Sequence, residues 1–122
     1  MGTITLAVFS IALALLLAHE MDAVRKQEWK MFIGLKAMDD EKAYQVFLLL
    51  HIPLYAALLL LLFSAFSQIG YYIVDIFLIG HMFLHWAFEK HPANRLNGTA
   101  SKLLINMAGL LALVHIVAIA AT

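Results

Sequence analysis

The hydrophobic pattern of this chain is four long apolar runs separated by two short charged stretches and one uncharged turn. The runs cover residues 3–22, 43–66, 71–89 and 101–121. Each is close to the roughly 17–25 residues that a helix needs to cross the hydrocarbon core of a bilayer. Helices are the expected spanning form, because lipid cannot satisfy the open edge of a sheet. Ser67-Gln68-Ile69-Gly70 reads as a tight turn between the second and third runs, and so short a connection makes them antiparallel neighbours. The expected fold is an all-α membrane protein, a single domain over 1–122 forming an antiparallel four-transmembrane-helix bundle. Residues 26–38 mix Trp29, Met31, Phe32 and Leu35 with Lys26, Glu28, Lys30 and Lys36, as an amphipathic helix lying on the membrane surface does. Asp39-Asp40-Glu41 places negative charge where the second helix begins, which the helix dipole favours. No internal repeat is present.

Charge orients the bundle. All eight Lys and Arg residues fall between Arg25 and Lys42 or between Lys90 and Lys102. Cytoplasmic loops carry the excess of basic residues, so both loops are expected in the cytoplasm and both termini outside, in a bacterial inner (plasma) membrane. Trp29, Phe32, Tyr44 and Trp86 on the loop side, and Tyr71 and Tyr72 opposite, suit aromatic interface belts. No Lys or Arg precedes the first run as in a signal peptide's n-region, so that run is expected to stay in the membrane.

Composition narrows the function classes. The apolar fraction is 64% and the charged fraction 13%, against roughly 45–50% and about 25% in soluble domains. Zero formal charge and no basic patch interleaved with aromatics argue against a nucleic-acid partner. The absence of cysteine removes disulfides, thiolate ligands and thiol catalysis. No Ser-His-Asp arrangement, phosphate-cradling glycine loop or dinucleotide fingerprint occurs.

What remains is a set of ionisable groups inside apolar runs, where they are costly and usually functional. At about 1.5 Å per residue, His19 lies about 9 Å inward from Arg25, and His51 about 12 Å from Ala43. From Glu89, His85 and His81 lie about 6 and about 12 Å inward. His81 and His85 are four apart and share a helix face, as His19 and Asp22, three apart, also do. Two histidines one turn apart can hold one ion, and a third ligand from another helix with an open position makes a catalytic site. The expected metal ligands are therefore His19, Asp22, His51, His81 and His85, with Glu20 or Asp22 as general base. Imidazole and carboxylate suit zinc, iron or manganese better than a soft metal; a divalent zinc or iron ion is the leading cofactor. Pro53 cannot donate to the Leu49 carbonyl, so the second helix should loosen near His51. Blander roles compete: His19 and His85 can reach headgroups or water, and His51 can bond a freed carbonyl. Asp75 and His115 both fall about 21 Å inward, which predicts a separate outer pair between the third and fourth helices. His91, in a solvated loop, reads as ordinary. Asn97-Gly98-Thr99 matches a glycosylation pattern but lies on the expected cytoplasmic side.

The run His19-Glu20-Met21-Asp22-Ala23-Val24-Arg25 through Glu28-Trp29-Lys30, with His85-Trp86, His91-Pro92 and Asn97-Gly98, resembles a family of small uncharacterised bacterial four-span membrane proteins. The resemblance covers most of the chain and implies the four-span architecture and the importance of the His19–Glu28 region. It implies no reaction. Three functions stay open on the residues. One is a metal-dependent hydrolase or oxidase acting on a lipid-like substrate in the bilayer. Another is a haem-b electron carrier with His51 and His81 as axial ligands. The last is a non-enzymatic subunit or transport element, working as a homo-oligomer or in a larger membrane complex.

Overall fold

The computed structural model describes residues 1–122 as four long helices and no strand: α1 (Thr3–Arg25), α2 (Asp40–Phe63), α3 (Ser67–Ala87) and α4 (Thr99–Ala120). All four are long and apolar enough to cross a membrane. They run antiparallel in chain order, so the termini lie together at one end and the two charged loops at the other. The outer surface is apolar, unlike that of a soluble bundle. Ile4, Leu60, Phe63 and Val117 point outward, more than three-fifths exposed, while His19, Glu28, Asp75, His85, Ser101 and His115 are buried. So extensive an apolar outer surface is favourable where the surroundings are hydrocarbon. The chain is an integral, multi-pass membrane protein.

Small residues set the packing. Ala12, Ala108 and Ala112 lie fully or almost fully buried in the core with Phe9, Leu16, Val74 and Leu78. Without a hydrophobic drive between helices in lipid, close backbone approach through such residues is what holds spans together. α4 is the central element, packed along both α1 and α3, whereas α2 is a flanking helix resting mainly on α3. At Gly109 of α4 a Cβ would stand 2.7 Å from the Cβ of Met82, so α3 and α4 approach as closely as glycine allows.

Two local expectations are corrected. Ser67–Gly70 is the first turn of α3, not the connection. The reversal occurs at Ser64–Phe66, where the Ser64 hydroxyl donates to the Leu61 carbonyl (3.0 Å) and its oxygen accepts from the Phe66 N–H (3.1 Å). Gly70 serves packing instead, with Leu61 side-chain and backbone atoms 3.0–3.4 Å from where its Cβ would be. The surface helix expected over 26–38 is not formed. The segment makes a short 3₁₀ helix (Glu28–Met31) entered through Gln27 in the left-handed region (φ 55°, ψ 49°). That reversal turns Glu28 and Trp29 inward, and Trp29 is buried against Ala23, Ala43 and Phe47. At the start of α2 the Asp39 carboxylate caps the helix by accepting from the Glu41 N–H (3.0 Å), with Asp40 and Glu41 in the first turn.

The outer pair forms as its depth implies. His115 Nδ1 lies 2.7 Å from Asp75 Oδ2, and both side chains are fully buried. The imidazole packs against Phe9 and Tyr71, with ring centroids 5.0 and 5.9 Å away.

Candidate metal centre

Four ionisable side chains meet near the charged-loop end of the bundle. α1 supplies His19, α3 supplies His81 and His85, and the 3₁₀ turn supplies Glu28. One ligand atom from each lies within 4.8 Å of the others. His81 and His85 project from one face of α3, and their Nε2 atoms are 2.9 Å apart. His19 stands edge-on to both, with centroids 4.8 and 5.0 Å away. Glu28 closes the group: Oε1 is 3.3 Å from His85 Nε2 and Oε2 is 3.6 Å from His19 Nε2. Tetrahedral ligands about 2.0–2.1 Å from a zinc ion are about 3.3 Å from one another. Three of the six pairs stand at 2.9–3.6 Å, around that value, and all lie within 4.8 Å.

Hydrogen bonding makes the same point from a different side. His19 is 1% exposed, and neither of its ring nitrogens has a hydrogen-bond partner. Buried polar atoms are nearly always paired, and leaving one unpaired costs about 1–3 kcal/mol. An unpartnered imidazole beside two more imidazoles and a carboxylate is a group that could hold a metal ion. Glu28 supplies the negative charge. Burial alone would push its carboxyl up, but the His85 hydrogen bond and the adjacent imidazoles of His19, His85 and His81 outweigh burial and hold it below the ordinary value. Trp29, next in the chain, anchors the turn that carries it, packing on Tyr44 and Phe47 of α2 at 5.9 and 5.6 Å between centroids.

Of the residues expected as ligands, His19, His81 and His85 come together, and Asp22 and His51 stand elsewhere. The Asp22 carboxylate accepts a hydrogen bond from the Ser101 hydroxyl, tying the end of α1 to the start of α4. His51 is engaged at both nitrogens: Nδ1 lies 2.6 Å from the Phe47 carbonyl oxygen and Nε2 lies 2.9 Å from Glu20 Oε2. Glu20, expected as a candidate base, thus bridges α1 to α2. Depth placed His51 at the right level, but α2 lies outside the α1–α3–α4 core. Glu28, the fourth member, lies in the segment expected on the membrane surface. No local pattern marks it, because its inward direction depends on the left-handed Gln27 and on burial of Trp29. His91 keeps to its loop, where Nδ1 accepts from the Ala93 N–H (3.0 Å).

Outside the spans, Lys102 pairs with Glu89 at 2.5 Å, and that hydrogen bond holds the Glu89 carboxyl below its usual range. Arg95 donates to the Gln27 side chain at 2.5 Å, joining the α3–α4 loop to the turn that delivers Glu28. An apolar groove of about 330 Å³ opens beside the centre, lined by Glu28, Met31, Phe32, Ile33, Leu84, His85 and Phe88.

No curated protein and no solved structure matches the chain. A model of a family of unknown function, DUF6713, matches residues 5–122, and the chain belongs to that family.

Proposed function

We propose that this protein is a membrane-embedded, metal-dependent hydrolase of lipid-like substrates, with its centre at the cytoplasmic side of a bacterial plasma membrane. The observation that carries the reading is the convergence of His19, Glu28, His81 and His85 around a buried imidazole with no partner. Three imidazoles from two helices make a three-nitrogen ligand set, which in zinc enzymes leaves the fourth position for water. The ion would be zinc or iron, since every ligand atom is nitrogen or oxygen. Bound there, it would lower the pKa of water toward neutrality.

The protein's own part is orientation and proton handling. Glu28 is ionised and 3.3 Å from His85, placed to accept the proton of an attacking water. It takes the base role in preference to Glu20 and Asp22, which are committed to His51 and Ser101. The groove beside Glu28 and His85 gives access from the membrane surface. A haem held by His51 and His81 fits the side chains less well. Both His51 nitrogens are bonded, and His81 is stacked on Phe77 at 5.4 Å and pressed between His19 and His85.

The test is metal analysis of protein purified without chelators. The parent should hold one zinc or iron per chain and hydrolyse a lipid ester only when loaded. His19→Ala, His81→Ala and His85→Ala should lose the metal, Glu28→Ala should keep it but lose hydrolysis, and His91→Ala should keep both. Equal metal content in all of these, or none in the parent, would leave only a hydrogen-bonded polar core.

A further inference from the structure

The turn that carries Glu28 is built on a residue ill suited to its backbone. Helix α1 ends at Arg25 with Lys26 as its cap residue, and the Gln27 N–H then bonds to the Val24 carbonyl at 3.2 Å. Gln27 occupies the place just past a helix end where glycine is usual, because the backbone there turns left-handed. It is the one non-glycine residue of the chain with positive φ (55°). A side chain in that conformation costs free energy that glycine does not. Glycine would serve the turn better, so the glutamine side chain needs a reason of its own.

That reason is Arg95. The Gln27 amide oxygen accepts from Arg95 Nη1 at 2.5 Å, across 68 residues of chain. A bond from a guanidinium is charge-assisted and among the stronger ones. Arg95 is itself held from both sides. Asn94 donates through Nδ2 to the Phe88 and Glu89 carbonyls at the end of α3 (3.3 and 3.1 Å), and Leu96 is buried, 3% exposed. The bond therefore ties the end of the helix that carries His85 to the residue before Glu28. Trp29 fixes the same turn against α2, and Arg95 fixes it against α3, the side on which Glu28 stands 3.3 Å from His85 Nε2. A base works only within hydrogen-bond reach of its proton, and a displacement of about 1 Å can cost about a hundredfold in rate.

We infer that Arg95, acting through Gln27, is a positioning residue for Glu28: it holds the left-handed turn in the geometry that sets the carboxylate beside His85. The inference rests on the hydrolase reading for what Glu28 does, and on the Arg95–Gln27 contact for where Glu28 stands. Arg95 itself stays on the exposed loop and acts only through the turn.

The experiment compares Arg95→Ala, Arg95→Lys and Gln27→Gly in the full chain, purified in mixed micelles without chelators. Gln27→Gly is the decisive variant, because glycine suits the left-handed backbone and only the side chain that Arg95 holds is removed. It should keep parental resistance to SDS unfolding and parental metal content. Its kcat on a long-chain p-nitrophenyl ester should nevertheless fall at least tenfold, with KM unchanged. A glutamine that merely served the fold would not give that combination. Arg95→Ala should lose kcat to the same extent, and Arg95→Lys should recover part of the loss. The double variant should lose no more than either single one, since both remove the same contact. A second readout is independent of hydrolysis. Trp29 follows Glu28 in the chain and is 4% exposed, and with Trp86→Phe it is the one tryptophan left. Its quenching by acrylamide should rise at least twofold in Gln27→Gly and in Arg95→Ala. Parental kcat and parental quenching in both variants, or losses that multiply in the double variant, would overturn the inference. An inactive parent whose Trp29 responds as described would remove the hydrolase and leave the positioning. An active parent with unchanged variants would do the reverse.

Discussion

Replacing Gly109 with alanine tests whether α4, which contributes none of the four clustered side chains, sets the spacing of the candidate metal centre. The new methyl would stand 2.7 Å from both Cβ and Sδ of Met82 and 3.1 Å from its Cγ. Carbon atoms pack comfortably at about 3.5–4.0 Å, so α3 and α4 must separate by roughly 1 Å at this level. The thioether could swing away, but the Met82 Cβ is fixed to the backbone and no rotamer relieves that contact. Overpacking of this kind costs about 1–3 kcal/mol, and alanine's higher helix propensity offsets at most about 1 kcal/mol. The net loss should be about 1–2 kcal/mol. Because α1 and α3 each pack on α4, the shift also moves His81 and His85 relative to His19. Metal–ligand distances tolerate about 0.2 Å, so zinc affinity should fall at least tenfold, about 1.4 kcal/mol. Gly80→Ala is the control: it lies next to His81, but nothing is within 4 Å of the added methyl. Unfolding by SDS titration in mixed micelles and zinc competition against a chelator read the two effects. Parental stability and affinity in Gly109→Ala, or equal losses in Gly80→Ala, would refute the reasoning.

Three further outcomes are expected. Asp75→Leu leaves His115 buried without its partner, and breaking a fully buried pair costs about 3–5 kcal/mol; Asp75→Asn should cost less by SDS titration, and neither should change metal content. With single cysteines introduced into a chain that has none, Gln68→Cys should react with an impermeant thiol reagent from outside intact cells and Lys36→Cys should not; the reverse pattern would invert the topology. Zinc occupancy should fall on acidification, because a protonated imidazole cannot bind metal; occupancy undiminished down to about pH 3, well below the ordinary imidazole range, would count against an imidazole centre.

The fold was legible because its determinants are one-dimensional. An apolar run of span length has few alternatives in lipid, and four such runs become four helices. The ends were less legible because they depend on single side chains. Ser67–Gly70 has the composition of a turn, yet the Ser64 hydroxyl stops α2 three residues earlier, and Gly70 is needed where Leu61 crosses it. Likewise the mixture in 26–38 reads as a surface helix by composition. Trp29 overrides it, because its ring finds a pocket between Ala23 and Phe47 and draws Glu28 in with it.

The same distinction separates the cluster members legible in the sequence from the one that was not. Counting along a helix measures depth, and depth brought His19, His81, His85 and His51 to one level, and Asp75 to His115. It does not measure which neighbour a helix face meets. His51 has the depth of the centre but belongs to the flanking helix, so it met Glu20. Asp22 lies near His19 on α1, but Ser101 of α4 was the closer partner. Glu28 has no helix to count along. Its position follows from Gln27 adopting a left-handed conformation that a non-glycine residue takes only at some cost. That cost, the burial of a carboxylate and an imidazole left without partners all fall within one group of side chains. In a chain whose outward surface is otherwise almost uniformly apolar, stability alone would be better served by leucine at these positions. The metal proposed above would give these groups their missing partner, with α1, the 3₁₀ turn and α3 joined around it.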